Sequence, residues 1–589
     1  MQKNERQWWH DAVVYQIYPR SFRDSNGDGI GDIPGIMQQL PYLKELGVDV
    51  IWLCPVYRSP NDDNGYDISD YRDIMTEFGT LDDFDALLAA AHDQGLRIMM
   101  DLVVNHTSDE HEWFLHSRES RDNPYRDYYI WKDPAGYAED DTPLPPNNWG
   151  SEFGGSAWEW DAHTGQFYLH MFSRKQPDLN WENPAVREEI FEMIRWWQDR
   201  GVDGWRVDAI GTADKPEGFP DDPYQEPGRV TSSMRFVNNR PKVHTWLHMM
   251  NREAWSRGGS AGEASISNTG IVTVGELAGP TPEDGVLYTA PEREELSQII
   301  HFEHVSLGND PRFDKWSLQR PGLVELKRVL DSWQRGLHGK GWNALYWDNH
   351  DQPRAVSRFG DDRPEFREAS AKALATALYL QQGTPYIYQG QELGMTNVEF
   401  PSIEDYRDLD SVNWYRTVVE ERGELSAEEA LARVHARGRD NARTPMQWNA
   451  QPQAGFSGEV PQVQPWIAVN PRYPEINAAA QQDDPASVLN YYRRLLRLRK
   501  GTLREVVREG SYEPLAADDP RVYAYQRVWG GKRLVVAVNF TSREAACPPE
   551  VHAALGEDEA LLSNYEEAAT TSALRPWEAR VVLREAREV

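Results

Sequence analysis

Three carboxylate side chains stand at or just past the ends of three different short apolar runs. They are Asp208 after Trp205-Arg206-Val207, Glu276 in Val274-Gly275-Glu276-Leu277, and Asp351 in Asn349-His350-Asp351. Each run reads as a buried strand. Arg206 precedes Asp208 by two residues, so in an extended strand both side chains project to the same side. A guanidinium beside a carboxylate keeps it ionised, as a nucleophile or an electrostatic stabiliser requires. The same Arg-x-Asp pattern alone is also that of a buried structural ion pair. Glu276, facing the negative charges of Asp208 and Asp351, would have its pKa raised and could hold a proton to donate. His106, which closes Asp101-Leu102-Val103-Val104-Asn105-His106, and His350 add neutral hydrogen-bond donors at the same level. Acid/base work on a single bond follows if one scaffold gathers these strand ends.

The chain supplies such a scaffold. Apolar strands at Val13 to Tyr18, Val48 to Leu53 and Leu96 to Val103 alternate with helical patterns at Pro34 to Leu46 and Leu81 to Gln94. Asn183 and Pro184 start a helix in which Val186, Ile190, Ile194 and Trp197 repeat at helical spacing, and Gly201 stops it. Further strands are expected near 271–274, 299–302, 343–346 and 386–388, with helices at 323–337 and 365–380 between them. Eight strands with helical crossovers favour a (β/α)8 TIM barrel over an open sheet, and the candidate residues then lie on its active face.

Two stretches break the rhythm. Residues 107–175, rich in Trp, Tyr, Pro, Gly and Asn, are too long for a plain loop and should form a subdomain inserted after the third strand. Residues 401–484 are a second irregular excursion before a helix at 486–500. From about Leu503 the pattern alternates, with Gly530-Gly531 marking a hairpin between 522–528 and 533–538. The expected organisation is a barrel of residues 1–106 and 176–502, an inserted subdomain of 107–175 and a C-terminal all-β sandwich of 503–589. The Gly-, Ser- and Ala-rich stretch 257–269 reads as a flexible insertion before strand five.

A net charge of −32 repels nucleic acid and anionic membranes. No apolar run approaches the ~18 residues of a membrane span, and Trp8-Trp9-His10-Asp11 stands where a secretory apolar core would begin. A cytoplasmic protein, monomeric or homodimeric, is expected. Cys54 and Cys547 imply no disulfide framework. The 23 Trp and 26 Tyr suit sugar faces, although most must simply pack.

Asp101 to His106, Gly204 to Asp208, Gly275-Glu276 and Asn349 to Asp351 together resemble the four conserved regions of glycoside hydrolase family 13, the α-amylase superfamily. Gln176-Pro177-Asp178-Leu179-Asn180, Pro145 to Trp149, Phe153 to Trp158 and Ala442-Arg443-Thr444-Pro445-Met446-Gln447-Trp448 are similar to its oligo-1,6-glucosidase and α-glucosidase branch. The resemblance runs from about Trp9 to Lys500. It implies Asp208 as nucleophile, Glu276 as general acid/base and Asp351 as transition-state stabiliser, with His106, His350 and Arg206 around the sugar. It further implies that Asp63 and Tyr66, in Asp63-Asn64-Gly65-Tyr66, bind the non-reducing glucose together with Arg443. Phe153 and Phe172 match aromatic positions lining the site. Closure behind one sugar unit would give exo action on maltose, isomaltose or, as a further candidate, sucrose. No organic cofactor is implied.

Asp24, Asn26, Asp28, Ile30 and Asp32 place oxygens at alternate positions, as in a calcium loop, but Gly35 stands where an EF-hand has its bidentate Glu. The resemblance implies one structural Ca²⁺ or Mg²⁺ here, held by these side chains and the Ile30 carbonyl. Linkage stays open. In this branch Val after the nucleophile goes with α-1,6 preference and Thr with α-1,4, whereas this chain has Ala209, which should widen the leaving-group side. A transglucosylase or a sucrose- or trehalose-type isomerase is the alternative. Leu277-Ala278-Gly279 after Glu276 and the lack of the Arg-Leu-Asp-Arg-Asp pattern of sucrose isomerases argue against it. A non-catalytic relative, such as an amino-acid-transporter heavy subunit, would need a membrane anchor and would have lost the three acids.

Overall fold

Eight short parallel strands carry the molecule: β1 (Val14–Ile17), β2 (Val50–Leu53), β3 (Arg97–Val103), β4 (Gly204–Asp208), β5 (Val272–Leu277), β6 (Gln298–His301), β7 (Ala344–Leu345) and β8 (Thr384–Tyr388). They pair in the order β6-β5-β4-β3-β2-β1-β8-β7, and a parallel bridge from Ile299 to Asn343 joins the two ends. The computed structural model describes residues 7–225, 230–256, 270–458, 463–557, 559–566 and 572–586. The expected insertion at 257–269 lies outside the described residues.

Helices α1 (Leu81–Asp93), α2 (Pro184–Arg200), α3 (Leu323–Leu337) and α4 (Arg367–Tyr379) form as the sequence dictates. Thr80 and Asp83 make a reciprocal capping box for α1. The Asn183 side chain accepts from Ala185 N at the start of α2, Val186, Ile190, Ile194 and Trp197 are buried along it, and Gly201 ends it at φ 114°. The expected helix from Pro34 to Leu46 is instead two pieces, Ile33–Gln38 and Leu40–Leu46. Pro41 has no N–H for the preceding turn and its ring clashes with that turn's carbonyl, so the helix must restart.

Between β3 and α2 the inserted segment builds a three-stranded antiparallel sheet from Trp131–Lys132, Trp158–Asp161 and Gln166–Leu169. It has its own core of Ile130, Trp149, Trp158, Phe167, Leu169 and Met171. The excursion after β8 holds helix α5 (Ala427–Arg437), started by a Ser426–Glu429 capping box, and leads to α6 (Val488–Lys500).

The alternating C-terminal stretch begins later than expected. Leu503, Val506 and Val507 are buried at helical spacing, and Arg504–Glu509 is a helix. Five antiparallel strands follow: β9 (Ser511–Leu515), β10 (Val522–Trp529), β11 (Lys532–Asn539), β12 (Leu562–Ser563) and β13 (Ala579–Glu585), paired β9-β10-β11-β13-β12. On β10, Tyr523 and Tyr525 face the barrel core, whereas Val522 and Ala524 pack under Val551, Leu555 and Leu574. That second layer is a helix, Pro549–Leu555, and a short ribbon of Ala545–Ala546 with Ala573–Leu574, where a sandwich would have another full sheet.

Three buried cations bind backbone carbonyls here instead of carboxylates, and two of them, Lys327 and Arg527, tie this sheet to the barrel. Lys327 on α3 donates to the carbonyls of Ala516 (2.7 Å), Asp519 (2.6 Å) and Val522 (3.1 Å). Arg527 on β10 donates to Gln334 Oε1 (2.9 Å) and Gly510 O (2.6 Å). Arg499 on α6 donates to the carbonyls of Tyr379, Gln381 and Gly383.

Candidate active site

The parallel register of β3 and β4 sets Arg206 beside Asp101, and Asp208 beside Val103. Arg206 then serves three carboxyls at once. Nη1 donates to Asp101 Oδ1 (2.5 Å) and Asp208 Oδ1 (2.7 Å), and Nη2 lies 2.7 Å from Glu276 Oε1 on β5. Asp101 also accepts from Trp52 Nε1 (3.0 Å) and the Tyr66 hydroxyl (3.1 Å), so both its oxygens are engaged and it acts as a fixed counter-charge. The other Glu276 oxygen accepts from Ala209 N at 3.0 Å. Ala209 makes that bond from the left-handed region, φ 43°, a strained setting that its small side chain tolerates.

Burial pushes Asp208 and Glu276 up, each to about 7, against the downward pull of Arg206. This differs from the sequence expectation in three ways. Arg206 does not hold Asp208 in the ordinary carboxylate range, because burial outweighs it. Arg206 is shared rather than reserved for Asp208, and desolvation rather than neighbouring charge is the main cause for Glu276. Two interacting buried carboxyls with similar pKa values hold about one proton between them near neutrality, which is one attacking group and one donor.

Asp351 follows β7 and is held differently. Its Oδ2 lies 2.9 Å from His350 Nε2, and Oδ1 accepts from Arg439 (3.1 Å) and Arg443 (3.0 Å). Burial raises its pKa, but His350 and the two arginines outweigh that and hold the carboxyl well below its ordinary range. Gln16 Nε2, 2.8 Å from His350 Nδ1, assigns the ring proton to Nε2, facing Asp351. Burial depresses the His350 pKa, and that of His106 to about 4, so both are neutral donors at pH 7.

Asp208, Glu276 and Asp351 line one cavity of about 330 Å³ with Asp63, Tyr66, His106, Phe153, Phe172 and His350. The Tyr66 ring stacks on His350 at 5.1 Å, and His106 Nε2 reaches Tyr66 O at 3.1 Å. Arg443 departs from its expected place. It is 1% exposed and sits behind Asp351, its Nε on the His350 carbonyl at 3.1 Å. Two other arginines, Arg437 and Arg439, are on the cavity wall, and Arg439 pairs with Asp63 (3.1 Å), Asp351 (3.1 Å) and Asp408 (2.7 Å) and lies 5.1 Å from the Phe153 ring. Sequence reasoning missed it, yet Arg439 and Arg443 are four apart around one helical turn and so share a side. Gln176, 3.3 Å from Asp63 Oδ2, was legible only as part of a motif.

The metal-loop residues lie outside this cavity. Asp24 accepts from the amides of Asn26, Gly27 and Gly29. Asp28 accepts from Ile30 N, and Asp32 from Ser25 and Gly35. Among the described residues no three acidic, His or Cys side chains are gathered at metal-binding distance.

A model of the α-amylase catalytic domain matches residues 16–510. The chain is 53% identical over 581 residues to an oligo-1,6-glucosidase of Parageobacillus thermoglucosidasius, covering 98% of this chain and 99% of the relative. Among solved structures, a Bacillus licheniformis trehalose-6-phosphate hydrolase superposes with TM-score 0.88 at 43% identity, over 99% of this chain and all of the other. Isomaltulose synthase of Klebsiella gives 0.89 at 42%, again over 99% of this chain and all of the other. No helix among the described residues is long and apolar enough to cross a membrane. With this barrel and these matches across nearly its whole length, the chain is a glycoside hydrolase of family 13, in the oligo-1,6-glucosidase and α-glucosidase branch.

Proposed function

We propose that the protein is a retaining, exo-acting α-glucosidase that releases glucose from the non-reducing end of short α-glucosides. One observation carries this reading: Asp208 and Glu276 are held together by the Arg206 guanidinium, in a pocket walled on another side by Asp63 and Arg439. Asp208 attacks the anomeric carbon while Glu276 gives its proton to the departing glycosidic oxygen. Glu276, now ionised, takes a proton from the water that cleaves the glucosyl ester. Asp351, kept ionised by its arginines, binds sugar hydroxyls as the ring flattens. In this reading Asp63 and Arg439, paired at 3.1 Å, meet the terminal glucose, which gives exo action.

The test is the time course of sugars formed from maltose, isomaltose, sucrose and trehalose, with the anomer of the first glucose followed by NMR. Glucose released first as the α-anomer supports hydrolysis with retention, and the substrate turned over fastest gives the linkage. Isomers or longer sugars in excess of glucose would favour the transferase reading. Ala209, Ala278 and Gly279 on the cavity wall leave room for that second acceptor.

The shared proton gives a pH prediction. Below about 7 both carboxyls become protonated and Asp208 cannot attack; above it both ionise and Glu276 cannot donate. The expected kcat/KM profile on a neutral glucoside is therefore bell-shaped with its maximum near neutrality. A flat profile from pH 5 to 9 would count against the shared-proton dyad.

We also propose that the loop from Asp24 to Asp32 holds one Ca²⁺ or Mg²⁺ in a structural role. Its donors are all oxygens, the chemistry a hard cation takes, and Asp24 and Asp28 would exchange amide bonds for the ion. Chelation should then lower Tm, with about 3 kcal/mol at stake when the ion is present at ~100 times its Kd. Asp28→Ala should abolish the difference. Identical melting of the wild type with EDTA and with millimolar calcium would exclude the site.

A further inference from the structure

Lys215 takes no part in the chemistry of the three acids, yet its ammonium group is buried beside their pocket. It stands in the loop after β4, and its side chain is 4% exposed. Its three hydrogens meet three acceptors: Asp178 Oδ2 at 2.8 Å, Asn105 Oδ1 at 3.3 Å and the Thr212 carbonyl. Asp178 is itself wholly buried, and its other oxygen accepts from Met171 N at 2.9 Å. An ion pair so enclosed is costly to take out of water, and stability alone is a weak reason for having one.

The chemistry of these donors leads into the pocket. An ammonium group can only donate, so the Asn105 atom that faces it must be the amide oxygen. The Thr212 hydroxyl, 2.8 Å from the same oxygen, does not decide this. It both donates and accepts, and it also lies 2.6 Å from the Ala209 carbonyl. Lys215 therefore fixes which way Asn105 points. The Asn105 amide nitrogen is turned to His106 Nδ1 at 3.2 Å, and an amide nitrogen can only donate. Nδ1 must then offer a lone pair, so the single proton of the neutral ring is on Nε2. The far side of the ring agrees, because Nε2 lies 3.1 Å from the Tyr66 carbonyl, which can only accept. Gln176 does not disturb this assignment. Its Oε1 accepts from Ser173 N at 2.9 Å, and its two amide hydrogens go to Asp63 Oδ2 and Tyr66 O, each at 3.3 Å.

With Asn105 reversed, the ring proton would move to Nδ1. A bare Nε2 would then face the Tyr66 carbonyl, acceptor against acceptor, and the cavity wall would lose a donor. Lys215 has a second effect on the same ring. Burial lowers the His106 pKa to about 4, Asp178 pulls it up, and Lys215 opposes Asp178.

We propose that Lys215 is a positioning residue for the sugar pocket: acting through Asn105, it fixes the His106 proton on Nε2 and keeps the ring a neutral donor. What that donor serves rests on the α-glucosidase reading; where the proton lies does not.

The experiment has two readouts. In protein carrying isotopically labelled histidine, NMR of the ring nitrogens gives the His106 tautomer, its signals identified by their loss in His106→Gln. The wild type is expected to show a neutral ring protonated on Nε2. Lys215→Met strands Asp178 without its counter-ion, so the pair Lys215→Met with Asp178→Asn is made beside it. The paired variant should populate the form protonated on Nδ1 and lose about tenfold or more in kcat/KM on p-nitrophenyl α-glucoside. Added to His106→Gln, the same pair should cost less than about twofold further, since its effect passes through a ring already removed. A wild-type ring protonated on Nδ1 would overturn the proposal. So would a folded paired variant that keeps the wild-type tautomer, or losses that multiply in the combined protein. A wild type with the expected tautomer that cleaves no aryl glucoside would instead refute the underlying glucosidase reading.

Discussion

Replacing Asp208 by asparagine is expected to lower kcat by about 10⁴-fold or more while leaving the fold in place. The amide has nearly the shape of the carboxylate but cannot form a glycosyl ester, so the first half-reaction loses its nucleophile. Structure should survive because Arg206 keeps Asp101 and Glu276 as partners after the change. The measurement is single-turnover release of p-nitrophenol from p-nitrophenyl α-glucoside, alongside a thermal melt. A loss smaller than about 100-fold, with Tm unchanged, would mean that Asp208 only stabilises charge and that another group attacks.

The second large effect is on stability. Arg206→Gln strips the counter-ion from three buried carboxyls, one of which, Asp101, is wholly inaccessible to solvent. Removing one member of a buried ion cluster typically costs about 3–5 kcal/mol, since the remaining charges are left without compensation. The sign of its pH dependence follows. Without the guanidinium the folded-state carboxyl pKa values rise further above those of the unfolded chain. The unfolded chain then binds fewer protons than the folded one between about pH 4 and the raised folded values, and stability falls as pH rises through that window. Arg206→Gln should therefore be most damaging at pH 8 and least at pH 5, as read by urea midpoints. Equal destabilisation at both pH values would show that lost packing, not stranded charge, is the cause.

How much of this was legible beforehand differs by residue. The barrel strands could be read because each is a short apolar run closed by turn residues, and α2 because its cap, its period and its terminal glycine agree. The three acids could be read because they recur at strand ends, where a barrel presents its chemistry. Arg439 was harder. Its importance lies in reaching Asp63, Asp351 and Asp408, residues 376, 88 and 31 positions away, and no local period encodes such a meeting. Asp101 was seen in its motif but not as a member of the site, because its role exists only in register with Arg206 on the neighbouring strand. The break before Pro41 and the helix at Arg504–Glu509 were both available in local rules. The first was hidden by an otherwise continuous apolar pattern, the second by the alternation that follows it.

Lys327, Arg499 and Arg527, which bind backbone carbonyls instead of carboxylates, bear on the order in which the molecule can be completed. During synthesis Lys327 leaves the ribosome 189 to 195 residues before its three acceptors. Until they arrive, the outer face of α3 must keep an ammonium group in water on a surface destined to be dry. Arg499 makes its bonds within the barrel, but Arg527 closes onto α3 only when β10 is formed. The bonds of Lys327 and Arg527 therefore form only once β10 and the loop before it reach α3, so this face of the barrel is completed together with the C-terminal sheet. A lesion in that distal sheet would reach the pocket not by touching substrate but by reducing how many chains ever mature.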